Sequence, residues 1–306
     1  EITCRDWSSD VCSSDLYSLH PWIAPLIVRA GTDPTKPRTA HQPLIAAFSH
    51  SGDGEPRKVF DRAYGMQNNA IALPGGHGQG FRFLAGVYRN LLASGYRYAW
   101  LGNVDNIGYV PDPAELAVLA LSGAEAAFEF AYRTPVDVKG GILVTTKDGR
   151  RTVADIGQAI PFDTVTRLEA AGEKVLFNCA TCIFDLERLV PRLGEIADRL
   201  PVRVSDQDKD AGRYSQAEQS TWEVIGLLDE PLGFAVEKSE RFIAAKLLAE
   251  TVLASGAVDA SGAVDASGHG MPAEVAATAE MMSEGLRRIL SGPCGLVLEG
   301  GRWVAR

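Results

Sequence analysis

The sequence predicts an open, mixed α/β sheet, and three observations carry that expectation. Short apolar runs alternate with stretches of helical period from Asn69 onward. A glycine string, Gly75–Gly80, stands between one such run and the helical pattern after it, the strand–loop–helix order of α/β domains. An Asp148–Gly149 pair divides Ile142–Ile156 into two stretches of strand character, which is a hairpin signature.

Taken in order, the part before Ala63 is irregular, and only Pro21–Val28 and Gln42–His50 read as buried strands. Ala70–Pro74 is a short apolar strand leading into GGHGQG. Phe81, Leu84, Tyr88, Leu91 and Leu92 recur at helical spacing, and Gly95 stands where a left-handed cap ends that helix. Tyr96–Gly102 is a strand running directly into NVDN, Asn103–Asn106. Pro113 starts a helix over Ala114–Leu121. Ala126–Arg133 alternates as a strand, and Lys174–Asn178 is another, leading toward the helical DLERLVPRL. Asp206–Gln219 is polar enough to be a long solvent-facing loop, and Phe242–Leu253 reads as a helix. SGAVDASGAVDASG, Ser255–Gly268, is a tandem copy of one unit, too short for a solenoid and read as a duplicated surface loop. Pro272–Leu290 is an alanine-rich amphipathic helix, and GLVLEGGRWVAR closes as a hairpin.

At 306 residues, 46% hydrophobic and 23% charged, the chain can bury one large core or two smaller ones. Its net charge of −9 repels nucleic-acid backbones and anionic membranes while allowing a local basic pocket for a small phosphorylated ligand. No apolar stretch has the length of a membrane span. Neither a nucleic acid nor a membrane is therefore expected as partner, and a cytoplasmic setting is. One segment stands apart: Asp6–Leu16 reads DWSSDVCSSDL, the in-frame translation of a sequencing-adapter oligonucleotide. Trp7 and Cys12 then carry no biology, and the natural amino terminus is expected upstream. With residues 1–16 set aside, Cys179, Cys182 and Cys294 form an odd count without a secretion signal, which does not suggest a disulfide framework.

Several residues could carry chemistry. In PGGHGQG the glycines allow backbone N–H groups to approach a ligand, the helix end behind them favours an anion, and His77 could donate to a phosphate. A tight turn with His77 merely exposed is the other reading. Asp105 follows the Tyr96–Gly102 strand at its carboxyl end, where open sheets bind ligands. It offers a hard carboxylate for Mg²⁺, while Asn103 and Asn106 offer partners for hydroxyl groups. An Asx-rich turn is the alternative. Lys139 lies beside two glycines in VDVKGG. Lys246, in RFIAAKLLAE, reads by spacing as an i,i+4 partner of Glu250. CATC, Cys179–Cys182, has no second cysteine pair and no nearby histidine, so a buried strand end is favoured over zinc.

PGGHG, GNVDNIG, VDVKGG, LFN and RFIAAK occur in that order over Pro74–Lys246. Together they resemble the UDP-glucose pyrophosphorylase family of uridylyltransferases. The resemblance implies a Rossmann-like, GT-A-type nucleotidyltransferase fold with a mixed sheet, here followed by an α-rich carboxy-terminal tail. It implies the reaction of UTP with a sugar 1-phosphate to give UDP-sugar and pyrophosphate, with Mg²⁺ as cofactor and homo-oligomerisation left open. Carried over by position, Gly76 and Gln67 become uracil contacts, and His77 a contact to the sugar phosphate. Asn103, Val104 and Asp105 become the segment that touches hexose and ribose, with Asp105 the metal ligand. Asn178, in LFN, falls to the sugar side, and Lys139 takes a supporting role. Lys246 becomes the catalytic lysine on the triphosphate, displacing the ion-pair reading.

Three departures bear on this. Nothing before Pro74 resembles the family's glycine-rich loop and lysine, so the resemblance divides the chain into an artefactual segment 1–16, a catalytic domain 17–254 missing that loop, and a tail 255–306. Gly75 replaces a proline of the family loop. Ala180 stands where the family has an asparagine reaching the sugar, which leaves the sugar open: the resemblance implies glucose 1-phosphate, with an N-acetylhexosamine 1-phosphate or a broad sugar range as the alternative. A catalytically silent nucleotide-sugar-binding domain is the competitor from another class.

Overall fold

The computed structural model describes residues 40–50, 56–103, 106, 108–134, 137, 140–157, 159–243, 273–300 and 302–305. The expected strand Pro21–Val28, the adapter-like segment and the duplicated Ser255–Gly268 unit lie outside them.

Along the chain, the expected Gln42–His50 strand forms as β1 (Leu44–Ala46) and β2 (Phe48–Ser49), separated by buried Ala47. β3 (Ala72–Pro74) ends at the glycine string. The helix expected after it is broken into α1 (Gly80–Phe83) and α2 (Ala85–Ala93) at Leu84, whose φ of −87° and ψ of 1° leave the helical region. Gly95, at φ 88°, follows α2 as its left-handed terminator. β4 (Tyr98–Gly102) leads to α3 (Pro113–Ser122), which Asp112 caps by accepting the Ala114 N–H at 2.8 Å and which Gly123 ends at φ 69°.

β5 (Ala126–Tyr132) precedes the hairpin of β6 (Gly141–Thr145) and β7 (Arg151–Asp155), which turns where Gly149 takes φ 84°. α4 (Phe162–Ala170) comes next. β8 (Leu176–Asp185) runs seven residues further than the sequence suggests, through CATC, before α5 (Leu186–Arg199) begins. β9 (Val202–Lys209), β10 (Gly212–Gln219), β11 (Leu232–Ala235) and the four-residue α6 (Lys238–Arg241) complete this stretch. α7 (Ala273–Ser291) and the hairpin β12 (Leu296–Glu299) and β13 (Arg302–Ala305) match the expected tail.

One expectation fails. Asp206–Gln219 is no loop: β9 and β10 pair antiparallel from Gly212↔Lys209 to Gln219↔Val202. β9 is an edge strand with most of its side chains in water, so its charges never form an apolar alternation. Of the helix read over Phe242–Leu253, only Phe242 and Ile243 are described, and neither is helical. Residues 244–253 lie outside the described set.

The chain divides into two compact units. The first joins residues up to Arg97 with Leu186–Leu227. It holds the β1–β3 pair and the three-stranded antiparallel sheet β2–β10–β9. Leu186, Leu189, Leu193, Ile196 and Ala197 form the buried stripe of α5, which packs on α1 and α2. A small core gathers Ala47, Ala63, Ala211 and Tyr214 against Phe60, Ile71 and Leu73.

The second unit, Tyr98–Asp185 with Leu228–Arg306, is built on a mixed sheet in the order β11–β5–β8–β6–β7, with β4 also on β8. β11 and β5 are parallel, and the other pairs are antiparallel. β8 is central and changes partner along its length: Phe177 faces Ile142 of β6, while Thr181 to Asp185 face β4. At the changeover Ala180 adopts φ 52°, and the β5–β8 register shifts between Phe128 and Phe130. That is a bulge, placed opposite Glu129.

Candidate functional site

In the first unit the glycine string is pressed against the end of β10. Gly75 C=O accepts from Gln219 N–H at 2.8 Å, and Gly75 N–H donates to Gln79 Oε1 at 3.1 Å. Gly76 has φ 81°, and a Cβ there would lie 2.5 Å from the Gln219 carbonyl oxygen. One on Gly78 would lie 2.6 Å from Leu200 Cδ2. These glycines therefore meet a close-approach requirement within the protein itself. The helix end expected behind them is a 3₁₀ turn, His77–Gln79, followed by the four-residue α1. Too few aligned peptides remain for a useful dipole, which corrects the anion expectation for that helix end.

His77 is the exposed residue in this otherwise buried loop. Its Nδ1 accepts the Thr221 N–H at 2.9 Å, so the neutral ring carries its hydrogen on Nε2. Its face lies 5.4 Å from the Trp222 ring at 48°. The 3₁₀ segment Thr221–Leu227 thus fixes both the tautomer and the orientation of the ring. Gln67 sits on an exposed turn before Asn68, which takes φ 55°.

In the second unit, two of the recognised motifs meet α6. Asn106 is buried, and its side chain is fully engaged: Oδ1 accepts from Gly108 N–H at 3.1 Å and Ile243 N–H at 2.9 Å, while Nδ2 donates to Arg241 C=O at 2.9 Å. It is a knot between the NVDN loop and the end of α6, which corrects its expected role as a partner for substrate hydroxyls. Half-buried Asn103 accepts the Asn106 N–H on its carbonyl at 3.1 Å and shapes the same turn.

Asp137, in VDVKGG, is the second knot. Its Oδ2 accepts from Thr134 N–H and Thr134 Oγ1, both at 2.8 Å, and from Lys238 Nζ at 2.5 Å. Lys238 and Asp137 side chains are 10% and 9% exposed, so the charges are desolvated and matched. Val104, Asp105, Lys139 and Lys246 lie outside the described residues. Asn178 is buried in β8, where its Oδ1 accepts the Ala180 N–H at 3.3 Å and supports the bulge. Cys179 and Cys182 are buried in the same strand, and burial, with the Glu129 charge nearby, pushes both thiols up. They remain neutral packing groups, in line with the strand reading. Among the described residues no cluster of three or more His, Cys, Asp or Glu is arranged for a metal.

Four ionisable residues of this region escaped sequence reasoning: Glu115, Glu129, Lys238 and Arg241. Glu129 is 1% exposed, at the bulge-facing position of β5, and pairs with Arg241 through both carboxylate oxygens. Arg241 also donates to Val110 C=O at 2.5 Å. The signal available was a lone glutamate inside the apolar run AAFEFAY, since a buried charge demands a partner. Glu115, on the first turn of α3, is buried beside this pair, and its Oε2 has no hydrogen-bond partner among the described residues. Burial, then the charge of Glu129, pushes its carboxyl up to about 8. Half-buried Tyr109, near Cys182 and Glu129, is pushed up to about 12 by its partial burial and then by those two groups.

A pH signature follows from Glu115. Its native carboxyl keeps a proton up to about 8, whereas the unfolded one loses it near 4.5. Between those values the native state binds more protons, so this contribution is complete in acid and is lost as pH rises through the native value. Glu115→Gln should match the wild type in urea unfolding at pH 4.5. At pH 8.5 it should be more stable, by roughly 2 to 4 kcal/mol. Equal differences at the two pH values would show that Glu115 titrates normally.

Comparison with known proteins places this geometry. The family model described as UTP--glucose-1-phosphate uridylyltransferase matches residues 55–258. The UTP--glucose-1-phosphate uridylyltransferase of Solanum tuberosum is 30% identical over 184 residues, covering 59% of this chain and 38% of that protein. UTP--glucose-1-phosphate uridylyltransferase 2 of Dictyostelium discoideum is 27% identical over 191 residues, covering 61% of this chain and 37% of that protein. Among solved structures, a Leishmania major UDP-glucose pyrophosphorylase variant in complex with UDP-glucose aligns with a TM-score of 0.61 at 20% identity, over 83% of this chain and 54% of the other. UDP-glucose phosphorylase of Trypanosoma brucei aligns with a TM-score of 0.60 at 22% identity, over 78% and 51%. At such identities the structural likeness speaks for the fold, the nucleotidyltransferase fold that the sequence led one to expect. This chain spans 38% of the length of the potato relative and about half the length of the solved ones.

Proposed function

Because the chain belongs to the UTP--glucose-1-phosphate uridylyltransferase family, we propose that it serves uridylyl transfer from UTP to glucose 1-phosphate, releasing pyrophosphate and forming UDP-glucose. The observation that carries this reading is the double anchoring of α6. Asn106, next in sequence to Asp105, is bonded to Arg241 and Ile243 just ahead of Lys246, while Asp137, two residues before Lys139, is bonded to Lys238. A reaction between two polyanions needs its cationic and metal-binding groups held on one frame.

The sugar-phosphate oxygen attacks the α-phosphorus in line as pyrophosphate leaves, with no covalent enzyme intermediate. His77 contacts the sugar phosphate. Gly76 and Gln67 read the uracil, and Asn103, Val104 and Asn178 line the ribose and hexose. Lys139 supports the loop. Lys246 neutralises charge on the triphosphate. Asp105 is one hard carboxylate after β4, a donor that fits Mg²⁺ taking its remaining ligands from phosphates and water. When bound there, Mg²⁺ supplies positive charge against the reacting phosphates.

Ala180 bears on the choice of sugar. Its φ of 52° is a conformation that asparagine adopts more readily than most residues. Ala180→Asn should therefore fold normally and place an amide at the bulge. The test is pyrophosphate release from UTP with a panel of sugar 1-phosphates, in wild type and Ala180→Asn. Glucose 1-phosphate should lead the wild-type panel, and the asparagine variant should shift the ranking at least threefold. A lead for N-acetylglucosamine 1-phosphate would replace the glucose assignment. UDP-glucose binding without turnover of any sugar would favour the silent binding domain.

A further inference from the structure

Helix α7 lies beyond residue 258, where the family match ends, yet it packs on α6, the element that anchors the NVDN and VDVKGG loops. The contact is intimate at one point. A Cβ on Gly285 would overlap the Ser239 carbonyl oxygen and lie 2.7 Å from its carbon and 2.8 Å from Ile243 Cδ1. The backbone of α6 thus rests directly on the backbone of α7. Glycine inside a helix is unfavourable relative to alanine, and this apposition is what the missing side chain permits. Around it, Met282, Leu286 and Ile289 close over Ile243 and Val110, and Arg288 reaches Glu240 of α6 at 2.7 Å. Ser239 sits between Lys238, which holds Asp137, and Arg241, whose carbonyl holds Asn106.

We propose that α7, through Gly285, is a positioning element of the candidate site: it sets the placement of α6 and, through Asn106 and Asp137, of both loops. The consequence for ligand binding rests on the uridylyltransferase reading, whereas the structural coupling does not.

The test uses the full chain, with hydrogen exchange followed by mass spectrometry and UDP-glucose titrated by calorimetry. Gly285→Val should speed exchange at least tenfold at residues 106, 108–110, 134 and 238–243, leave β5 and β8 unchanged, and weaken UDP-glucose binding at least tenfold. Gly194→Ala, in α5, should change neither, because a Cβ there meets nothing within 4 Å. Faster exchange confined to α7, or unaltered affinity beside loosened loops, would overturn the proposal. A uniform rise throughout the second unit would also overturn it, since a merely structural helix would act that way. Should Gly285→Val fail to fold, Arg288→Glu should loosen the same residues, and Glu240→Arg added to it should restore them. Absence of that rescue would again refute the coupling. If the wild type does not bind UDP-glucose, the functional reading fails while the exchange pattern still decides the positioning claim.

Discussion

Arg241→Met is expected to destabilise the second unit by about 3 to 5 kcal/mol, the usual cost of stranding one partner of a buried ion pair. Glu129 is 1% exposed, and the Arg241 side chain 15%. Removing the guanidinium leaves a carboxylate in the sheet core with Glu115 beside it, and leaves Val110 C=O without this donor. The loss should grow above pH 8, where Glu115 loses its proton beside the stranded carboxylate. The double variant Arg241→Met, Glu129→Gln should recover at least half of it, because no buried charge is then unpaired. Urea unfolding of the wild type and both variants at pH 7 and 9 measures this. A single-variant loss below about 1 kcal/mol, the range of exposed pairs, would mean that water reaches the pair.

Asp105→Ala is expected to reduce the rate of pyrophosphate release by at least about a thousandfold, equivalent to roughly 4 kcal/mol of lost transition-state stabilisation. The fold should be untouched, because the hydrogen bonds that fix the loop belong to its neighbour Asn106. Asn106→Ala should do the opposite first, lowering thermal stability while leaving the carboxylate in the chain. Melting temperatures of both variants, read beside their rates at saturating Mg²⁺, separate the two roles. Wild-type turnover in Asp105→Ala would take this residue out of the chemistry.

Most of the sheet was legible because its signals are local. Asp148–Gly149 announced a turn, Gly95 and Pro113 punctuated helices, and GLVLEGGRWVAR paired as a hairpin. β9 and β10 were not legible: an edge strand reading VRVSDQDK keeps its charges in water, and nothing in its composition demands pairing. The glycine string was read for the right property and the wrong neighbour. Its glycines do allow close approach, and what approaches is Gln219 and Leu200. The least legible part is the frame behind the motifs. Glu129 and Arg241 are 112 residues apart, and Asn106 bonds across 135 and 137 residues. No spacing rule reaches so far. Asn106 looked like a ligand residue because amides serve ligands and loops alike, and only the donors and acceptors around it decide which.

The parallel pairing of β11 with β5 has a consequence for synthesis. Leu232 meets Ala127 about a hundred residues earlier in the chain, so at translation speeds of about 5 to 20 residues per second β5 waits roughly 5 to 20 s for that neighbour. Through this interval a strand reading AAFEFAY offers an open hydrogen-bonding edge in a nascent chain. The glutamate at its centre then acts as a gatekeeper against self-association on the ribosome, before Arg241 has been made.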